Sequence, residues 1–270
     1  MKMPTKQIQQ HFDGFLQTPC LWKSTVIYGL NQFEIDVKSV GIDLEIDTKL
    51  RLGKYVERFV SYQLAQEKNI EILAENIQIQ RDKITLGELD CLLLKNKQPI
   101  HLEVIYKFYL YDSSIGTSEI DHFIGPNRKD SLVEKLTKLR DKQLPLLYDK
   151  ECKTYLKSLG LNALDIRQQV YFKAQLFLPF SNQNIQFKEI NQHCVIGFYL
   201  YHKEITQLKD RKFYIPTKKD WLVIPHTHVK WLTFNEFQIQ SDAYVERKFS
   251  PMVWVKSNTG TLHKIFLVWW

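Results

Sequence analysis

The chain has 270 residues, with 37 Lys and Arg against 30 Asp and Glu and a formal net charge of +7. That length suits one large domain or a domain with a smaller attachment, and the composition is that of an ordinary soluble globular protein, not a disordered, fibrous or disulfide-rich one. No apolar run is long enough to span a bilayer, and the positive balance is compatible with a nucleic-acid partner without pointing to one.

Met1-Lys2-Met3-Pro4 leads into polar Gln and Lys with no apolar stretch of the kind a secretory signal needs, so a cytoplasmic protein is expected. Cys20, Cys91, Cys152 and Cys194 stand far apart with no CxxC pair. Neither a zinc ribbon nor a redox motif is indicated, and buried thiols in a reducing compartment are the expectation.

Residues 1–47 mix short apolar and polar runs and are read as an N-terminal extension with a small helix and strand. Residues 48–68 carry Leu52, Val56, Phe59, Val60 and Leu64 at helical spacing, which predicts an amphipathic helix. Glu57 lies at the edge of that stripe, where a carboxylate can face a cleft or simply pair with a neighbouring Lys or Arg.

Three strands are predicted next, at about Ile70 to Gln80, Ile84 to Lys95 and Pro99 to Tyr111. The last alternates Ile100, Leu102, Val104, Tyr106, Phe108 and Leu110 with His101, Glu103, Ile105, Lys107 and Tyr109. Such alternation predicts one apolar face and one face carrying Glu103 and Lys107. On the preceding strand Leu89, Cys91 and Leu93 form the apolar set, with Glu88 and Asp90 on the other side.

A turn centred on Asn96-Lys97 brings the two polar faces together, because a one-residue slip would flip a whole face. Residue 90 then opposes residue 103, with Cβ atoms roughly 5 Å apart. Like charges so placed repel unless a cation lies between them, and a divalent Mg²⁺ or Mn²⁺ held by Asp90 and Glu103 is one explanation. The competing reading is an ion network in which Lys107 merely neutralises Glu103.

Gly125-Pro126-Asn127 then breaks the chain. Ser131 to Glu134 has the form of a capping box, and Leu132, Leu136 and Leu139 continue a helix. Arg128, Lys129, Lys135 and Lys138 surround its start and could bind phosphate, or could form a solvated basic face. A short helix near Tyr148 to Leu159 and a strand from Val170 to Phe180 complete the order helix, three strands, helix, strand. From residue 181 onward, short aromatic and β-branched runs are read as strands and loops. His226-Thr227-His228 puts two histidines on one face if it is a strand, a weak zinc signal without a third ligand. Trp221, Trp231, Trp254 and Trp269-Trp270 are expected in the core before being base-stacking platforms.

Several of these pieces resemble a bacterial family, domain of unknown function 1853. They are Leu52-Gly53-Lys54-Tyr55-Val56-Glu57, Leu73-Ala74-Glu75-Asn76-Ile77-Gln78, Thr85-Leu86-Gly87-Glu88-Leu89-Asp90, His101-Leu102-Glu103-Val104, Lys107-Phe108-Tyr109-Leu110, Gly125-Pro126-Asn127 with Asp130, and Gln143-Leu144. That family in turn is similar to a divergent branch of the PD-(D/E)XK nucleases.

The resemblance implies an α/β protein with a restriction-endonuclease-like αβββαβ core and a mixed central sheet at residues 48–180, with a β-rich region at 181–270. It implies Mg²⁺- or Mn²⁺-dependent cleavage of DNA or RNA, with Glu57, Asp90 and Glu103 as acids and metal ligands. The lysine departs from the pattern: two residues after the third-strand acid stands Ile105, and Lys107 is about 6.6 Å further along the strand. The alternative is a nuclease-fold protein without turnover that binds nucleic acid or assembles with a protein partner. Nucleic acid is the expected partner, no membrane is expected, and a homo-oligomer is compatible with either reading.

Overall fold

A computed structural model describes residues 5–36, 38, 40–47 and 49–270. The reading of Met1 to Pro4 and the predicted helix start at Thr48 lie outside the described residues. In chain order the elements are α1 (Thr5–Gln17), β1 (Val26–Ile27), β2 (Leu30–Asn31), α2 (Leu52–Ala65), β3 (Ile70–Arg81), β4 (Ile84–Lys95), β5 (Gln98–Tyr111), β6 (Phe123–Ile124), α3 (Leu132–Lys138), α4 (Lys150–Ser158), β7 (Arg167–Pro179), β8 (Val195–Tyr201), β9 (Lys212–Tyr214), α5 (Phe234–Glu246), β10 (Met252–Lys256) and β11 (Leu262–Val268). The protein is thus α/β. No described helix is long and apolar enough to cross a membrane, and none of the four cysteines is in a disulfide.

Two compact units form, and neither is a contiguous stretch. The first comprises Met1–Ile8, Cys20–Tyr106 and Glu134–Lys173; the second comprises Gln9–Pro19, Lys107–Val133 and Ala174–Trp270.

In the first unit the strand order is β3-β4-β5-β7. The β4–β5 hairpin has the register expected from its two faces: Lys95 opposes Gln98 and the ladder runs to Cys91 opposite Leu102. Asn96 and Lys97 both take left-handed backbone angles, φ 52° and 66°, which makes the two-residue turn that matches strand twist. The α2 helix buries Tyr55, Val56, Phe59, Val60, Gln63 and Leu64, the predicted stripe widened by Tyr55 and Gln63.

The paired strands β3 and β4 are covered on one side by α4 and the turn before it. Ile77, Ile79 and Leu89 pack there with Leu147, Cys152 and Leu156. Alternation along the strands sends Asn76, Glu88 and Asp90 to the opposite side.

Both faces of β5 are buried in this unit, Ile100 and Leu102 on one and His101, Glu103 and Ile105 on the other. With β4 and β7 as its neighbours, β5 is an interior strand covered on both sides, as interior strands of layered α/β sheets are.

The second unit holds a mixed sheet. Here β7 and β8 run parallel, as do β8 and β11, while β10 is antiparallel to both β11 and β9. Phe198, Leu200, Val253, Val255, Ile265 and Leu267 from this sheet pack with Phe213 and Phe237. The last of these belongs to α5, which corrects the expectation that residues beyond 181 are strands and loops alone. A reciprocal capping box starts α5, with Thr233 Oγ1 accepting the Glu236 N–H and Glu236 Oε2 accepting the Thr233 N–H. Its apolar stripe is thin and Ile239 is exposed, so periodicity gave little signal while the Thr-x-x-Glu cap did.

Candidate functional site: an acidic cluster around Lys54

Lys54 and Glu57 are three residues apart on α2, so they share one edge of the helix. Lys54 Nζ donates to Glu57 Oε2 at 2.8 Å and to Asn76 Oδ1 at 2.9 Å, and it also pairs with Glu88. Carboxylate oxygens of Glu57, Glu88 and Asp90 all lie within 4.8 Å of one another. Among the described residues these three are the one group of three or more acids, histidines or cysteines close enough to share an ion.

Electrostatics in the cluster are crowded. Burial is the first cause that pushes the Asp90 carboxyl up, to about 7; the charge of Glu103 is the second, and Glu57 adds to both. A hydrogen bond from the Val104 backbone N–H to Asp90 Oδ2, 2.9 Å long, works the other way. Burial also raises Glu57, opposed by Lys54. For Lys54 itself burial disfavours the ammonium, but its bonds to Glu57 and Glu88 outweigh this and hold it above its ordinary value.

Backbone geometry marks the same place. Asn76 has φ 53°, a left-handed conformation that asparagine tolerates better than most residues. The β3–β4 ladder pairs Glu75 with Cys91 and Ile77 with Leu89, so Asn76 faces Asp90 between them. Residues held in such conformations concentrate at functional sites.

Behind Asp90 lies a second polar layer. Glu103 and His101 are both fully buried. Glu103 Oε1 meets His101 Nε2 at 3.1 Å, and Glu103 Oε2 accepts from Gln143 Nε2 at 2.5 Å. Gln168 Nε2 donates to His101 Nδ1 at 3.1 Å, which leaves Nε2 as the ring donor to Glu103. Gln143 Oε1 in turn accepts from Lys135 Nζ at 2.8 Å. Every member of this chain has a partner, as a buried polar network requires.

The residues singled out from sequence are therefore distributed unequally. Glu57 and Asp90 come together. Glu103 stands beside Asp90, but both of its oxygens are taken by neutral donors, and Glu88 supplies the third converging carboxylate. Lys107 is paired with Asp130 at 2.5 Å in the second unit. Arg128, in that unit too, pairs with Asp112 and lies over the Trp270 ring at 4.0 Å; Lys129 is exposed. Lys135 belongs to the network behind Glu103, and Lys138 on α3 of the first unit is exposed. The expected basic patch is thus divided between the units, with two of its four cations engaged in side-chain bonds.

Lys54, Glu88, His101 and Gln143 were missed as site residues. Lys54 had a signal, its spacing to Glu57, and Glu88 had another, two residues before Asp90 on the same strand face. His226-Thr227-His228 is not a strand; the two rings are 6.0 Å apart and His226 packs on Trp254 at 5.2 Å. Trp221 and Trp254 are core residues.

The family model described as Domain of unknown function (DUF1853) matches residues 9–268. The chain belongs to this family. No curated protein and no solved structure matches it. Seen on the structure, the DUF1853 segments separate into two groups. Lys54, Glu57, Asn76, Glu88, Asp90, Glu103 and Gln143 form the cluster and its support. Gly125, Asn127 and Asp130 build a tight loop in the second unit, where Gly125 N donates to Asp130 O at 2.7 Å and Asn127 Oδ1 accepts from Ser250 N at 2.7 Å. A Cβ on Gly125 would stand 2.0 Å from Asp130 Oδ1, so this glycine gives Asp130 the room to reach Lys107.

Proposed function

We propose that this chain is a metal-dependent phosphodiesterase acting on DNA or RNA, with a restriction-endonuclease-like core made by α2, β3, β4, β5, α3 and β7. The observation that carries the reading is the convergence of Glu57, Glu88 and Asp90 within 4.8 Å beside a lysine. Hard oxygen donors of this kind suit Mg²⁺ or Mn²⁺, and the Asp90 carboxyl is raised by burial first and by the charge of Glu103 and Glu57 after it, a charge that a divalent cation would offset.

A bound divalent ion would polarise the phosphate and make attached water more acidic. The chain's own residues have separable roles in this scheme. Glu57, Glu88 and Asp90 would hold the ion. The Val104 N–H keeps one Asp90 oxygen aimed. Glu103, fixed by His101 and Gln143, forms the charged floor. Lys54 supplies the cation that stabilises charge building on the phosphate, taking the role expected of Lys107, whose ammonium is committed to Asp130.

One observation favours a second reading, a binding protein without turnover: Lys54 pairs with both Glu57 and Glu88 and so offsets part of their charge. Incubation of the protein with single- and double-stranded DNA and RNA in Mg²⁺ or Mn²⁺ separates the two. The hydrolase reading expects cleavage that Asp90→Asn abolishes and Lys54→Met reduces by about a hundredfold or more. The binding reading expects retention with a steep salt dependence and intact polynucleotide. Cleavage that Asp90→Asn leaves unchanged, or neither binding nor cleavage, removes the site from consideration.

A further inference from the structure

The second unit contains a cavity of roughly 250 Å³ beside the end of α1, and a buried lysine, Lys264, is among the residues that line it. Lys264 on β11 is 5% exposed. Its Nζ donates to the Trp221 carbonyl at 2.7 Å and to Gln175 Oε1 at 3.2 Å. Gln175 Nε2 donates onward to Thr18 Oγ1 at 3.3 Å, and Thr18 and Gln175 line the cavity together with Lys264.

Among the described residues no carboxylate is bonded to this lysine. Burial alone lowers its amine, to about 7. The elements around it bring Gln175 from β7, Gly197 opposite it on β8, Trp254 opposite it on β10, and the Trp221 carbonyl; none of these groups ionises. The other cavity-lining side chains are uncharged as well. A buried ammonium without a counter-charge is costly, and such a group sheds its proton or finds an anion.

The rim has the opposite character. Ile196 and Ile224 line the cavity and are 37% and 43% exposed. Large aliphatic side chains left in water, in a cavity also lined by buried polar ones, form a site with two chemistries at two depths. The volume lies below the roughly 300 Å³ at which drug-sized pockets begin, so the occupant is small.

We propose that this cavity binds a small monocarboxylate with a short aliphatic tail, its head on Lys264 and its tail against Ile196 and Ile224. A neutral Lys264 has two N–H groups, and the structure provides two acceptors for them. A third N–H appears on protonation, and the carboxylate accepts it. Binding at pH 8 therefore takes up a proton.

Titration calorimetry of the full chain with hexanoate, hexan-1-ol and hexylamine tests this, run at pH 8 in buffers of different ionisation heat. The expected result is hexanoate bound about tenfold or more tighter than hexan-1-ol, with proton uptake approaching one per ligand, and hexylamine not bound. Lys264→Met removes the preference for hexanoate over hexan-1-ol. Ile224→Asp, an exposed substitution that leaves Lys264 in place, weakens hexanoate through like charge at the mouth and keeps the measurement informative if Lys264→Met fails to fold. Equal affinity for the alcohol and the acid, acid binding without proton uptake, or no binding of hexanoate at about 10 mM would overturn the proposal.

Discussion

The Val104 backbone N–H donates to Asp90 Oδ2 at 2.9 Å, just past Cys91 and Leu102, where the β4–β5 ladder ends. A side-chain carboxylate thus takes a main-chain donor at the end of a hairpin ladder. The bond anchors Asp90 among Glu57, Glu88 and Glu103, and it accounts for why a crowded carboxyl keeps one orientation.

That crowding predicts a pH dependence. The Asp90 carboxyl sits at about 7 in the folded chain against an ordinary 3.8, so the folded state holds the proton more tightly than the unfolded one. Its contribution to stability is full below about pH 4 and falls as pH rises towards about 7. Urea titrations from pH 4 to 8 are expected to show this decline, and Asp90→Asn is expected to flatten it. Under the metal-binding reading, Mg²⁺ competes with the proton, so added Mg²⁺ raises the melting temperature more at pH 8 than at pH 5.

The network behind the cluster predicts a large effect of a small change. His101→Ala removes the donor to Glu103 Oε1 and the acceptor for Gln168 Nε2 in a fully buried place. Leaving a buried carboxylate oxygen without its donor in this way costs about 1–3 kcal/mol or more. Gln168→Ala, which spares the bond to Glu103, is expected to cost less. Equal losses for the two variants in denaturant melts would contradict the assignment of His101 as the donor that satisfies Glu103.

The hairpin turn can be improved. Lys97 has φ 66°, and a side chain in the left-handed region costs roughly 1–2 kcal/mol. Lys97→Gly keeps the turn and turns Asn96-Lys97 into Asn-Gly, the pair that such turns favour. Chemical denaturation should show a gain of about 1 kcal/mol, offset in part by the greater freedom of glycine in the unfolded chain.

In the second unit, Thr233→Ala removes a cap that is reciprocated by Glu236. The expected cost is about 1 kcal/mol. Hydrogen exchange should localise the loss to the first turn of α5 and leave the hairpin amides of the first unit unchanged.

The parts of the fold that could be read in advance are those governed by neighbours in the chain. Alternation in β4 and β5 and the turn at Asn96-Lys97 were enough for the register that runs from Lys95 opposite Gln98 to Cys91 opposite Leu102. The buried stripe of α2 was equally plain. Alternation placed Glu103 on a strand face, but its full burial with His101 depends on their partners Gln143 and Gln168. Those partners come from 40 and 67 residues away.

What the sequence determined by itself, then, is which side chains share a strand face or a helix edge, since pleat and helical pitch are local properties of the backbone. Which carboxylates gather on one cation was decided only by tertiary structure. Lys54 meets Glu88, 34 positions further along the chain, because α2 lies against β3 and β4, and that docking is set by apolar surfaces that say nothing of charge. The same holds for Lys107: its strand position is legible in the chain, but its partner Asp130 is delivered by the Gly125 loop, whose path depends on space and not on pattern.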